Sequence, residues 1–364
     1  METVIHKLCR GALGAAIALA VFIAVGAVYV WEAHGAAIAA ADSVSAPAVW
    51  PIAARAQQSA RIPRIGLLMG YAESDPTAQP FVAAFVQGLQ QLGWTDGRNI
   101  RIVYRWAVAD VNQIQKFAKE LVEIQPDVIL ANSTPVTAAL HQKTGSIPIV
   151  FATVSDPVGA GFVTSLAQPG GNITGYNNIE ASLGGKWLEL LKEMAPGVRR
   201  AAIMFNPDTA PGEGSYFLNS FEVAARSLGV EPITAAVRSD ADIERAITAL
   251  GRESGGGLVV SADVFMFVHR ASIISLATRN RVPAIFPNPV ATTDGGLLAY
   301  GADNPDVFRY AATYVDRVLR GAKPRDLPVQ VPTIFRLIIN LKTVETLGLT
   351  VPLTLQARAD EVIE

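Results

Sequence analysis

From Arg64 onward, short apolar runs alternate with longer amphipathic stretches, and the alternation runs through the chain twice. No other feature restricts the fold as much. Strands separated by helix-length crossovers pair in parallel, each crossover is right-handed, and helices cover both faces of the sheet. In the first half, residues 65–69, 100–104, 127–131 and 147–152 read as strands. Residues 81–92 and 111–124 read as helices: Phe81, Phe85 and Leu89 share one face of the first, and Ile114, Phe117, Leu121 and Ile124 share one face of the second. Gly93 suits the residue after a helix end.

The second half begins with a helix over 185–194. Strands follow at 201–205, 232–237, 257–261 and 282–286, with helices at 216–228, 243–250 and 268–278. A last segment reads as a return, with strand 297–300, helix 307–319 and strand 334–339. The fold class is therefore α/β, with two doubly wound parallel-sheet lobes joined by a multi-stranded hinge. Several crossings between lobes make a hinge and not one flexible linker. The expected N-terminal lobe takes residues 62–178 and a returning segment, 298–330. The C-terminal lobe takes 179–297 and 331–364.

Residues 1–56 read as a targeting segment. Lys7 and Arg10 precede an uncharged run over 11–31, about the length that crosses a bilayer. Ala54-Arg55-Ala56 fits the small-x-small pattern of a signal-peptidase site. Two readings stand: export to the periplasm with cleavage after Ala56, or an inner-membrane anchor through residues 11–31 that leaves the rest outside. Cys9 is the only cysteine and precedes the apolar run, so it is not a lipobox cysteine. It permits no disulfide within the chain and no cysteine-based zinc cluster.

With 30 Lys and Arg against 32 Asp and Glu, the chain has no basic excess of the kind that binds nucleic acid. Its four histidines are His6, His34, His141 and His269, of which the first two precede the folded part. There is no phosphate-binding G-x-x-x-x-G-K-[ST] loop, no G-x-S-x-G elbow, no H-E-x-x-H and no G-x-G-x-x-G after the first strand. No cofactor and no metal are expected, and the protein is not expected to be an enzyme.

Function is written at the strand ends, where open α/β sheets hold their ligands. The run over 150–175 leaves an apolar strand at Ser155-Asp156-Pro157. Pro157 suits the first position of a helix and Asp156 its cap, a structural role that also makes a ligand-site wall. Candidate ligand contacts in the first lobe are Tyr71, Ser133, Thr134, Ser155 and Asp156. Those in the second are Asn206, Asp208, Asp263 and Asn288, with Ser261 also at a strand end that would line the cleft. Each has an ordinary alternative as a cap or turn former. Together they are uncharged hydrogen-bonding groups and carboxylates without clustered Lys or Arg, which suits a small polar or zwitterionic solute. Asp156, Asp208 and Asp263 are candidates to meet a ligand amine. Tyr71 and Phe265 are candidates to stack on its body, although an aromatic beside a strand also belongs naturally to the core.

Several stretches carry a resemblance: FVQGLQQLGWTDGRNIRIVYRWA at 85–107, PDVILANSTPVTAAL at 126–140, IPIVFATVSDPVGAGFV at 147–163, GGNITG at 170–175, INLKTVETLGLTVP at 339–352 and ARADEVIE at 357–364. In these the chain resembles the substrate-binding proteins of ABC importers, in the tryptophan- or amino-acid-type subfamily of the type I periplasmic binding fold. WPIAARAQQ at 50–58 is similar to the end of a bacterial signal peptide. The segment before Trp50 is longer than such leaders, and SADVFMFVHR at 261–270 stands where the family has its Asp-containing strand end. The resemblance implies extracytoplasmic capture of a solute such as an amino acid, lobe closure, and delivery to an ABC permease with its ATPase. A monomer is expected. Two other classes stay open on the sequence: a membrane-anchored sensor ectodomain signalling to a partner protein, and an extracytoplasmic enzyme, for which no nucleophile, base and orienting group stand at recognisable positions.

Overall fold

A computed structural model describes residues 61–364. The expected targeting segment, with Cys9, His6 and His34, lies outside the described residues. Among the described residues no helix is long and apolar enough to cross a membrane.

The first sheet has five parallel strands: β1 (Arg64–Met69), β2 (Arg101–Trp106), β3 (Val128–Asn132), β4 (Ile149–Val154) and β5 (Ile173–Asn177), in spatial order 2-1-3-4-5. β3 and β4 are buried along their whole length, as expected of strands covered on both faces. Helices α1 (Ala78–Gln91), α2 (Val111–Glu123) and α3 (Thr134–Lys143) make the crossovers. Asp110 starts α2 by accepting the N–H groups of Asn112 and Gln113. Phe81, Phe85 and Leu89 of α1 are buried, as their spacing predicts.

After α4 (Leu183–Met194) the same order is built again. The second sheet comprises β6 (Arg200–Phe205), β7 (Glu231–Ala236), β8 (Gly256–Val260), β9 (Ala284–Phe286), β10 (Leu298–Ala302), β11 (Phe335–Asn340) and β12 (Glu361–Ile363), in order 12-11-10-9-8-6-7. Its first five strands repeat the 2-1-3-4-5 arrangement, so β6 and β8 are the counterparts of β1 and β3. β11 runs antiparallel to β10, the one departure from a parallel sheet. The connecting helices are α5 (Ser215–Leu228), α6 (Asp240–Gly251), α7 (Val264–Val268), α8 (Arg270–Arg279) and α9 (Val290–Thr293). α10 (Asn304–Leu319) then returns to the first lobe, where Phe308 stacks on Phe81 of α1 at 5.5 Å between ring centroids. α11 (Leu341–Thr346) and α12 (Leu353–Gln356) finish the second lobe.

Two expectations are corrected, and a third finding is a strand that the sequence did not announce. Residues 298–302, assigned to the return, instead form β10 beside β9, and the crossing follows at Asp303. The apolar run alone does not say which sheet it joins; its pairing with β9 and β11 puts it in the second. Second, no helix follows β4. Residues 157–160 form a turn, in which the Asp156 carboxylate accepts the Gly159 N–H at 2.8 Å and Gly161 takes φ +71. Third, β5 lies within GGNITG and the residues after it, too short and polar to read as a strand. Gly175 serves its contact with β4, since a Cβ there would lie 2.1 Å from the Phe151 carbonyl oxygen. The chain crosses between the lobes after β5, after β10, and after Gln330, whose backbone pairs with Gly175 and Asn177 on its way to β11.

Candidate ligand-binding cleft

The carboxyl ends of both sheets face one cavity. β1 contributes Tyr71 beyond its end, β3 contributes Ser133 and Thr134, and β4 contributes Thr153 and Ser155. Opposite them stand Ser261 and Asp263 beyond β8, Asn288 beyond β9 and Ala302 at the end of β10. The cavity leaves about 60 Å³ for the centres of water-sized spheres, against the ~10–15 Å³ that one water needs.

The first-lobe wall is held rigid by Asn132, which is fully buried. Its amide nitrogen donates to Thr153 Oγ1 at 2.7 Å, and its amide oxygen accepts the Gly70 N–H at 3.1 Å, so three strand ends are tied together. Two residues of this wall are strained: Ser133 has φ +78 and Thr153 has φ +60, both unusual for side chains with a Cβ. Each such conformation costs on the order of 1–3 kcal/mol and persists where the surroundings enforce it, commonly at a site of function. Ser133 is also the N-cap of α3, yet its hydroxyl caps nothing. The Ser133 Oγ is buried and has no hydrogen-bond partner.

The second-lobe wall repeats this feature. Ser261 Oγ is likewise buried without a partner. Asp263, two residues on, accepts the Met266 N–H at 2.9 Å and the Thr209 hydroxyl at 3.1 Å through one oxygen, and the Asn206 N–H at 3.3 Å through the other. Burial pushes its carboxyl up to about 7, against the pull of these donors. The aromatic part of the lining is Tyr71, Phe267 and Phe286, with Tyr71 and Phe267 in contact at 4.6 Å between centroids. Burial pushes the Tyr71 phenol up to about 12, so it stays protonated.

The structure thus brings Tyr71, Ser133, Thr134, Ser155, Asp263 and Asn288 to one cavity. Asp156, Asn206 and Asp208 do not line it. Asp156 closes the turn after β4. Asp208 pairs with Arg238 at 3.1 Å and is half exposed. Asn206 is buried beneath Asp263, its side chain accepting the Asp208 N–H at 2.8 Å. Phe265 also lies elsewhere, stacked on His269 at 4.0 Å, and Phe267 takes the place expected of it. Helix periodicity explains this: two residues further along α7 turns the ring toward the cleft.

Sequence reasoning placed Ser261 at a strand end that would line the cleft without naming it as a ligand contact, and passed over Arg270. Ser261 had a signal, since it follows β8 as Ser133 follows β3, and these strands hold the same place in the repeated order. Arg270 had none, because its partners are remote in sequence. Among the described residues no group of acidic, cysteine or histidine side chains is placed to hold a metal ion.

The profile of the ABC transporter substrate-binding protein family matches residues 73–363. The chain is 28% identical over 277 residues to the tyrosine-binding protein of Clostridioides difficile (strain R20291), a match covering 75% of this chain and 78% of that one. It is similar to the ABC domain from Streptococcus pneumonia solved in complex with L-Trp: 25% identity, TM-score 0.75, covering 83% of this chain and 99% of that one. A ligand-free, open structure of a substrate-binding protein with adhesive properties from Clostridium difficile gives the same identity and coverage with a TM-score of 0.61. The overall superposition is thus better on the L-Trp complex than on the open protein.

Proposed function

Because this chain belongs to the ABC transporter substrate-binding family, and so acts as a solute-binding component and not as an enzyme, we propose that its solute is an aromatic amino acid. The observation that carries this reading is that Ser133 and Ser261, each with a buried unpartnered hydroxyl, line one cavity from opposite lobes. Buried polar groups without partners are costly, about 1–3 kcal/mol each, and a ligand that hydrogen-bonds to both removes that cost only when the lobes close on it. Asp263 supplies the carboxylate for an ammonium group. The N-terminal end of α3 beside Ser133 and Thr134 supplies positive dipole for a carboxylate. Tyr71, Phe267 and Phe286 supply the apolar wall for a ring. Ser155 and Asn288 complete the contacts. The tyrosine- and L-Trp-binding relatives support the same ligand class.

The protein works outside the cytoplasm, reached through residues 1–56, and hands its solute to a membrane permease driven by an ATPase. Thermal-shift and calorimetric titration with L-tyrosine, L-tryptophan and L-phenylalanine, beside aliphatic amino acids and sugars, test the ligand class. A binding ligand at about a hundred times its Kd adds roughly 2.7 kcal/mol of stability. Preference for the aromatic set is expected. Selective binding of sugars or aliphatic amino acids would overturn it.

A further inference from the structure

Arg270, the first residue of α8, lines the cleft and is buried, yet its chemistry is unlike that of the two serines. All five N–H donors of its guanidinium are taken. Nε donates to Asp294 at 2.7 Å, and Nη1 donates to the Phe267 carbonyl at 2.9 Å; both partners belong to the second lobe. The other three donors cross to the first lobe. Nη1 and Nη2 reach the two Asp75 oxygens at 3.3 Å each, and Nη2 also donates to the Thr77 hydroxyl. The guanidinium carbon lies 4.5 Å from the centre of the Phe267 ring. Beside this junction the lobes approach so closely that a Cβ on Gly70 would lie 2.8 Å from Val264 Cγ2.

We infer that Arg270 with Asp75 and Thr77 is a latch that holds the lobes closed without touching the solute, and so sets affinity through the closed population. An arginine with no donor to spare does not receive a ligand carboxylate. Opening the cleft leaves Arg270 with Asp294 and Phe267 of its own lobe, so it keeps a counter-charge, while Asp75 and Thr77 return to water. The Asp75 carboxyl agrees with this. Burial acts to raise it, but the Thr77 N–H and the Arg270 guanidinium outweigh burial and hold it below the usual carboxylate range. Closing thereby gains three charge-assisted hydrogen bonds in a partly desolvated site. A ligand shifts the lobes only by its preference for one arrangement, so a latch that favours closure raises apparent affinity for every solute the cleft accepts. Only that consequence for affinity rests on the solute-capture reading; the latch itself does not.

The test measures the distance between the lobes in the ligand-free full chain, with spin labels at Lys143→Cys and Ser227→Cys in a Cys9→Ser background. The wild-type pattern is expected to contain a closed component. Asp75→Asn, which keeps the shape but removes the charge, is expected to lower the closed-to-open ratio about tenfold or more, in line with the loss of one partner from a buried pair. Thr77→Val, which removes one acceptor and no charge, is expected to lower it less, and it keeps the test alive if Asp75→Asn folds poorly. The same distribution in all three proteins, or no closed component in the wild type, overturns the latch. L-Tyrosine and L-tryptophan then serve as probes: Asp75→Asn is expected to weaken both by a similar factor. Tighter binding would mean that Asp75 had been occupying a carboxylate site on Arg270, and would overturn the inference. If neither probe binds the wild type, the proposed ligand class falls and the distance result stands.

Discussion

Ser133 and Ser261 occupy the same position in two copies of one topological unit, each immediately after the third strand of its sheet; both line the same cavity and both carry a buried hydroxyl without a hydrogen-bond partner. The repeated 2-1-3-4-5 order therefore does more than build two similar lobes. It places two equivalent polar residues on opposite walls of one cleft.

Ser133→Ala and Ser261→Ala should each weaken binding of an aromatic amino acid by about 1–2 kcal/mol, roughly five- to thirtyfold, with little loss of stability, because neither hydroxyl has a protein partner to lose. Calorimetric titration paired with thermal melts separates the two effects. Melting temperatures that fall sharply while affinity holds would make these serines structural.

Asp263 should couple binding to protons. Its carboxyl titrates near 7 in the folded protein, so part of the population is protonated at neutral pH. An arriving ammonium group favours the ionised form, so binding releases a proton and affinity rises from pH 6 to pH 8. Titration in buffers of different ionisation enthalpy reads the proton directly. Asp263→Asn should abolish the release and weaken binding at pH 8. Proton release that persists in this variant would place the coupling elsewhere.

The same carboxyl has a consequence for stability. Its folded value is raised from the usual 3.8 to about 7, so the folded chain binds more protons than the unfolded chain between those values. Stability from this group is complete below about pH 4 and is lost as pH rises through 7, opposite in sign to an ion-paired carboxylate. Asp263 keeps some exposure, which screens the charge and reduces the effect to a few kcal/mol at most. Asp263→Asn should flatten this part of the stability profile, as followed by urea unfolding at pH 5 and pH 8 without ligand. An equal slope in both proteins would remove Asp263 from the account.

Asp156→Ala should cost about 1 kcal/mol of stability by freeing the Gly159 N–H, and should leave affinity nearly unchanged, since the carboxylate does not line the cavity. A large loss of affinity at unchanged stability would restore Asp156 to the site.

Gly175→Ala should destabilise the first lobe by about 1–3 kcal/mol, the range for overpacking, because the added Cβ would meet the Phe151 carbonyl oxygen at 2.1 Å. Urea unfolding checks this, and a neutral result would mean that β4 and β5 separate freely there.

Most of this molecule was legible in the order of its residues. Runs such as VILAN and LVVS announce buried strands, and the spacing of Phe81, Phe85 and Leu89 announces a helix face, because both signals come from local periodicity against a single core. Strand ends likewise marked Ser133, Ser155, Asp263 and Asn288, since a parallel sheet gathers its carboxyl ends on one side. What local pattern does not carry is which of several similar polar residues has its hydrogen bonds satisfied nearby. Asp156 and Asp208 look like Asp263 in sequence, yet the Gly159 N–H and Arg238 occupy them on the outside of the cleft. Sheet membership of β10 and the junction of Arg270 with Asp75 are also decisions of the tertiary structure. Residues 195 positions apart meet here across two lobes, and no local periodicity encodes the angle between them.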